Sequence, residues 1–160
     1  VSGGTAGKVR DRAEAVAWRR TAPGPLVFTN GVFDLLHPGH VELLESARRE
    51  GAALVVGVNG DASARRLAKG AGRPVTGQDA RARVVAGLAA VDCVVLFDED
   101  TPLELIRTLA PEVLVKGADY ARDRIVGADW IEERGGRVVR VPLLAGYSTS
   151  ALVERLRASS

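Results

Sequence analysis

Two histidines stand three residues apart in His37-Pro38-Gly39-His40, and the chain has no others. Val41, Leu44 and Ala47 follow at helical spacing, so the pair sits at the start of a helix. A spacing of three puts both imidazoles on nearly one face. A helix start presents free N–H groups and partial positive charge. Two imidazoles beside it can donate hydrogen bonds to phosphate oxygens. Gly39 removes a side chain where a phosphate would approach the backbone. The same residues admit two other readings: a surface pair with His37 as a simple helix cap, or a metal site. The metal reading is the weaker, because no third ligand accompanies the pair and the spacing is not H-E-x-x-H. Gly31 and Asp34, just upstream, add weight to phosphate chemistry.

Such residues need elements to hold them. Apolar β-branched runs predict strands at 25–29, 53–58, 93–97, 113–116 and 137–141. Amphipathic stretches between them predict helices near 8–20, 38–50, 61–68, 78–90, 102–109, 124–134 and 149–158. This alternation predicts an α/β fold: a Rossmann-like, open, parallel, five-stranded sheet with helices on both faces. One domain is expected over 1–160, with an N-terminal helical segment to about residue 24 and a core at 25–157. Thr101-Pro102-Leu103-Glu104 reads as a capping box with proline at the first helical position. Gly135-Gly136 reads as a helix stop. Residues 69–77 are too glycine-rich for an element and are expected to form a mobile loop.

Ligands of such sheets bind beyond the carboxyl ends of the strands. Polar and glycine residues gather there: Asn30-Gly31 and the histidines, Asn59-Gly60-Asp61, Lys116-Gly117-Ala118-Asp119-Tyr120, and Gly146-Tyr147-Ser148-Thr149-Ser150. Lys116 reads either as a phosphate ligand or as a strand-end lysine in solvent. Ser148-Thr149-Ser150 reads as a phosphate grip, a plain helix cap, or both.

Gly31-x-Phe33-Asp34-x-x-His37-x-Gly39-His40 resembles the signature of the cytidylyltransferase-like nucleotidyltransferases, and Ser148-Thr149-Ser150 resembles a second feature of that superfamily. Five stretches narrow the likeness: 29–31, 56–63, 97–102, 115–120 and 146–152. They resemble the D-glycero-β-D-manno-heptose 1-phosphate adenylyltransferases, over roughly residues 25–157. The resemblance implies that a sugar 1-phosphate attacks the α-phosphorus of ATP, giving ADP-heptose and pyrophosphate without a covalent enzyme intermediate. Catalysis would then be positioning and charge stabilisation.

By that resemblance His37, His40 and Lys116 are the catalytic candidates. Thr29, Asn30, Gly31, Phe33, Gly39, Arg81, Ser148, Thr149 and Ser150 are assigned to the nucleotide. Arg81 matches a recurring family arginine, with Arg83 an equal salt-bridge candidate beside it. Asp34, Asn59, Asp61, Gly117, Asp119 and Tyr120 are assigned to the substrate side. Asp34 is not needed as a base, since a phosphate nucleophile is already ionised; it would orient a histidine or the sugar, or serve structure. No protein metal site is assigned. Mg²⁺ is expected to arrive on the triphosphate. Small-molecule substrates and a homo-oligomer are the expected partners.

The chain departs from the family pattern in places. Ala118 stands where a second glycine is usual, a cost only if that position needs a positive φ. The 65–74 loop runs one residue longer, which blurs any phosphate role for Lys69. Leu143-Leu144 replace the Arg-Thr pair of the glycerol-phosphate cytidylyltransferases and argue against that branch. The sugar-kinase domain often fused to the heptose enzymes is not among these residues, so a kinase step is expected on another chain.

Composition excludes other classes. With 46 % hydrophobic and 26 % charged residues the chain reads as an ordinary globular protein. A net charge of +2 without a basic stripe, and 4 % aromatics, argue against nucleic acid. No apolar run nears the ~20 residues of a membrane helix, and Val1-Ser2-Gly3-Gly4 opens no signal peptide. Cys93 cannot close an internal disulfide, so a cytoplasmic location is expected; it reads as a buried apolar residue rather than a reactive thiol. The absence of methionine leaves room for a removed upstream segment. A dinucleotide-type Gly-x-Gly-x-x-Gly turn and an ATPase phosphate loop are both missing. An enzyme with another triphosphate or phosphorylated substrate, and a non-catalytic nucleotide-binding module, remain as rivals.

Overall fold

A computed structural model describes residues 4–68 and 70–160. Lys69 lies outside the described residues. Among the described residues five strands form one sheet: β1 (Leu26–Gly31), β2 (Ala53–Asn59), β3 (Cys93–Phe97), β4 (Val113–Gly117) and β5 (Arg137–Val141). Their order is β3-β2-β1-β4-β5, and every neighbouring pair is parallel. The winding therefore reverses between β1 and β4, which opens a crevice at their carboxyl ends.

Among the described residues seven α-helices cover the sheet: α1 (Arg12–Arg19), α2 (Pro38–Arg49), α3 (Asp61–Leu67), α4 (Gln78–Ala86), α5 (Leu103–Leu109), α6 (Ala128–Glu133) and α7 (Thr149–Ala158). Strand side chains alternate between two cores. Leu26, Phe28 and Leu114 pack with Ala15, Leu105, Ile106, Leu109 and Ile131 on the α1, α5, α6 face. Val27, Val56 and Val115 pack with Leu44, Ala47, Ala82 and Val85 on the α2, α4 face. Burial on both faces is why the strands read as unbroken apolar runs. No helix among the described residues is long and apolar enough to cross a membrane.

Several boundaries differ from the sequence pattern, each for a local reason. The helix expected from residue 8 starts at Arg12. Val9 instead pairs in parallel with Val94, adding the beginning of a sixth strand beyond β3. Asp11 then caps α1 in a reciprocal bond pair with Glu14. The helix expected over 78–90 stops at Ala86, with Gly87 as its C-cap. The helix expected over 124–134 is reduced to α6, because Gly127 at φ +86° interrupts it and a Cβ there would meet Ile106 Cδ1 at 2.9 Å. The capping box at 101–104 does not form. Pro102 takes the cap position, its carbonyl accepts from Ile106 N–H, and Thr101 falls outside the register. Gly135 does end α6, at φ +82°, with the N–H of Gly136 returning to the Ile131 carbonyl. Ala118 is not among the positive-φ residues, so it fills the glycine-like position without strain.

Candidate active site

β1 runs into a turn that bends sharply twice. Phe33 (φ 53°) and Leu35 (φ 51°) both hold left-handed backbone, at a cost of about 1–3 kcal/mol each. Gly31 makes room for this turn: a Cβ there would meet the Phe33 ring at 3.1 Å. The Phe33 ring in turn lies 5.3 Å from the His40 ring.

His37 is the N-cap of α2, and its Nδ1 accepts from the Gly39 N–H at 3.1 Å. His40 Nδ1 accepts from the His37 N–H at 3.3 Å. The two rings stack with centroids 3.8 Å apart. Because each Nδ1 is an acceptor, each neutral ring carries its proton on Nε2. The helix start therefore presents two Nε2–H donors. Burial, then the adjacent His37, pulls His40 down to about 4. Burial also lowers His37. Both rings are thus neutral donors near pH 7. Gly39 serves a different purpose from the one expected. Its N–H is spent on His37, and a Cβ would sit 2.9 Å from His37 Cε1.

A cavity of about 380 Å³ opens over these rings at the crevice between β1 and β4. Phe33, Asp34, His37, Gly39, His40, Tyr120, Ser148, Thr149 and Ser150 all line it. Nine assigned residues thus meet, although they span more than a hundred positions. Ser148 caps α7 by accepting from the Ala151 N–H, and Thr149 donates its hydroxyl to the Asp34 carbonyl at 2.7 Å. Tyr147 stacks at 6.4 Å from His37. The lining also includes Arg73, Pro74, Leu143, Leu144 and Tyr147, to which the sequence reading assigned no binding or catalytic role. Only the glycine-flanked Gly72-Arg73-Pro74 pattern hinted at Arg73, and nothing local says which way its side chain turns.

Other assigned residues lie behind the cavity wall. Arg81 is 1 % exposed. Its guanidinium donates to the carbonyls of Val32, Asn59 and Thr76 and to the Asp61 carboxylate. It clamps the exits of β1 and β2 and is not among the residues that line the cavity. Asp61 accepts the Arg81 bond through Oδ1. Asn59 is buried and donates to Ser63 Oγ. Asp34 is also committed: its carboxylate accepts from the Val75 and Thr76 N–H groups, the Thr76 hydroxyl and Arg73 Nε. Burial pushes its pKa up, and these four bonds outweigh that and hold it below its ordinary value. They also tie down residues 73–76 of the loop that was expected to be mobile.

Lys116 donates to the Asn30 carbonyl at 3.1 Å and sits 4.9 Å from the Tyr120 ring centroid. Burial draws its ammonium down to about 8, against a smaller upward pull from Asp119. Gly117 leaves space for Asp119, whose Oδ1 would lie 2.6 Å from a Cβ there. Thr29 Oγ1 and Asn30 Oδ1 are buried and take no hydrogen bond among the described residues. No group of three or more His, Cys, Asp or Glu among those residues is placed to hold a metal ion.

A profile described as cytidylyltransferase-like matches residues 28–155, from β1 into α7. The chain belongs to the cytidylyltransferase-like family. This is a nucleotidyltransferase family, and the matched span includes the paired imidazoles. Curated relatives carry the name bifunctional protein HldE. That of Gluconobacter oxydans is 57 % identical over 89 % of this chain and 29 % of its own length. That of Acidiphilium cryptum is 58 % identical over 91 % and 30 %. This cytidylyltransferase-like chain thus spans under a third of these relatives' length. A lipopolysaccharide core biosynthesis protein from Thermoplasma volcanium superposes with a TM-score of 0.62 at 28 % identity, over 74 % of this chain and 95 % of its own.

Proposed function

We propose that this chain is an adenylyltransferase that converts ATP and D-glycero-β-D-manno-heptose 1-phosphate to ADP-heptose and pyrophosphate. The observation that carries this reading is the pair of neutral imidazoles whose Nδ1 atoms are both bonded to backbone N–H, leaving two Nε2–H donors at a helix start. A sugar-phosphate oxygen attacks the α-phosphorus. The bond from that phosphorus to the bridging oxygen breaks, and pyrophosphate leaves with the electron pair. His37 and His40 donate to α-phosphoryl oxygens as their charge grows. Ser150 and the start of α7 hold the outer phosphates, and Tyr120 and Lys116 border the crevice. Mg²⁺ would come with the triphosphate and help neutralise it.

Three things support the choice of ATP and heptose. The five family stretches are present with Ala118 as a departure, Leu143-Leu144 replace the Arg-Thr pair of a rival branch, and a structural relative is a lipopolysaccharide core biosynthesis protein. Residues 25–157 form the catalytic core in this reading. A cytoplasmic setting, where ATP is supplied, and a homo-oligomer belong to it too; sedimentation at several concentrations tests the latter.

The deciding experiment offers ATP, GTP, CTP and UTP with heptose 1-phosphate and a polyol phosphate, and follows products by mass. ADP-heptose from ATP is expected. Exclusive use of CTP with the polyol phosphate would sink the proposal.

A further inference from the structure

The proposed reaction brings a triphosphate and a sugar phosphate into one cavity, and the inference that follows rests on that phosphate chemistry. Yet the described walls carry little positive charge. The imidazoles are neutral near pH 7. Lys116 is turned to the Asn30 carbonyl and the Tyr120 ring. Among the described residues lining the cavity, Arg73 is the one lysine or arginine.

Its placement suits an anion. The Arg73 side chain is 18 % exposed, and its Nε lies 3.2 Å from Asp34 Oδ2. Asp34 itself is 2 % exposed and sits behind the guanidinium as an anchor. The two Nη groups donate to none of the described residues. A guanidinium held at Nε keeps its outer N–H groups for two oxygens of one phosphate. A loop staple alone does not explain Arg73, because Asp34 already holds this loop through Val75 and Thr76. Sheet order puts the β2-side loop with Arg73 across the β1 crevice from Ser148–Ser150, which follow β5. The Asp34 carbonyl meanwhile receives the Thr149 hydroxyl, so one residue braces both walls.

We propose that Arg73 is a phosphate-binding residue of this active site, aimed into the cavity by Asp34. The phosphate belongs to the triphosphate or to the sugar phosphate. Titration calorimetry with ATP, heptose 1-phosphate, pyrophosphate and adenosine separates these. It compares the parent chain with Arg73→Ala and Arg73→Gln, the latter keeping an amide for Asp34 without the charge. Binding of the phosphorylated ligand that Arg73 holds, with pyrophosphate reporting the triphosphate side, is expected to weaken about 10- to 100-fold in both variants, with adenosine unchanged. Weaker ATP binding alone assigns the triphosphate, and weaker sugar-phosphate binding alone assigns the sugar side. Unchanged binding of every phosphorylated ligand overturns the proposal. So does an equal loss for adenosine and pyrophosphate, which marks a merely structural residue. A parent that binds ATP and pyrophosphate but no heptose 1-phosphate defeats the heptose reading while leaving Arg73 decided by pyrophosphate. A parent that binds none of the phosphorylated ligands overturns both.

Discussion

His40 is half-buried against His37 and Phe33, with its Nδ1 closed by a backbone N–H. Its remaining donor is held in place before any substrate arrives, which is where a fixed dipole acts best on developing charge. His40→Ala is expected to lower kcat by about 10²–10³-fold with a much smaller rise in the KM for ATP. Steady-state kinetics check this, and a KM effect without a kcat effect would refute it. The same burial predicts a pH effect. In the unfolded chain His40 takes a proton near its ordinary 6.5, whereas folded it does so only near 4. Between those values the unfolded state binds more protons, so stability falls as pH drops from about 6.5 toward 4. Thermal midpoints across that window should fall less in His40→Asn than in the parent.

Elements meet at this site through side chains that never touch substrate in the scheme above. Arg81 joins the exit of β1, the exit of β2, the loop before α4 and the first residue of α3. Removing it strands three carbonyls and one carboxylate. Arg81→Ala is expected to destabilise the fold by roughly 2–4 kcal/mol, read from urea unfolding. Because the clamp holds the turn that carries Phe33 and Asp34, activity should fall in the cold as well, where the variant stays folded. Wild-type stability in that variant would remove Arg81 from its positioning role.

At the scale of the whole molecule, two cores on opposite faces of one sheet make unfolding a concerted event. Cys93 reports on it. Its side chain is 0 % exposed on β3, and burial lifts the thiol to about 11. A thiol reagent at neutral pH should label the native chain only at the global opening rate, and the label should appear fast once urea unfolds it. Rapid labelling of the native chain would show instead that β3 opens locally.

Much of this architecture was legible in the residues. Runs such as Ala53–Val58 announce buried parallel strands, and His37-Pro38-Gly39-His40 before an apolar stripe announces a helix start. The 149–158 helix and the strands at 93–97 and 137–141 match their expected bounds. These features are set by neighbours a few positions away. What only the tertiary structure decided is which polar atoms remain free. Asp34, Asn59 and Asp61 stand where strands end, as binding residues do, and Arg81 sits in the helix after the loop, yet each is engaged by other residues of the fold. Arg81 meets Val32 across 49 positions, and Arg73 meets Asp34 across 39. Conversely, the two histidines retained their donors because their own backbone occupies each Nδ1. A side chain's chemistry is written in its type, but its availability depends on which acceptors the folded chain sets beside it.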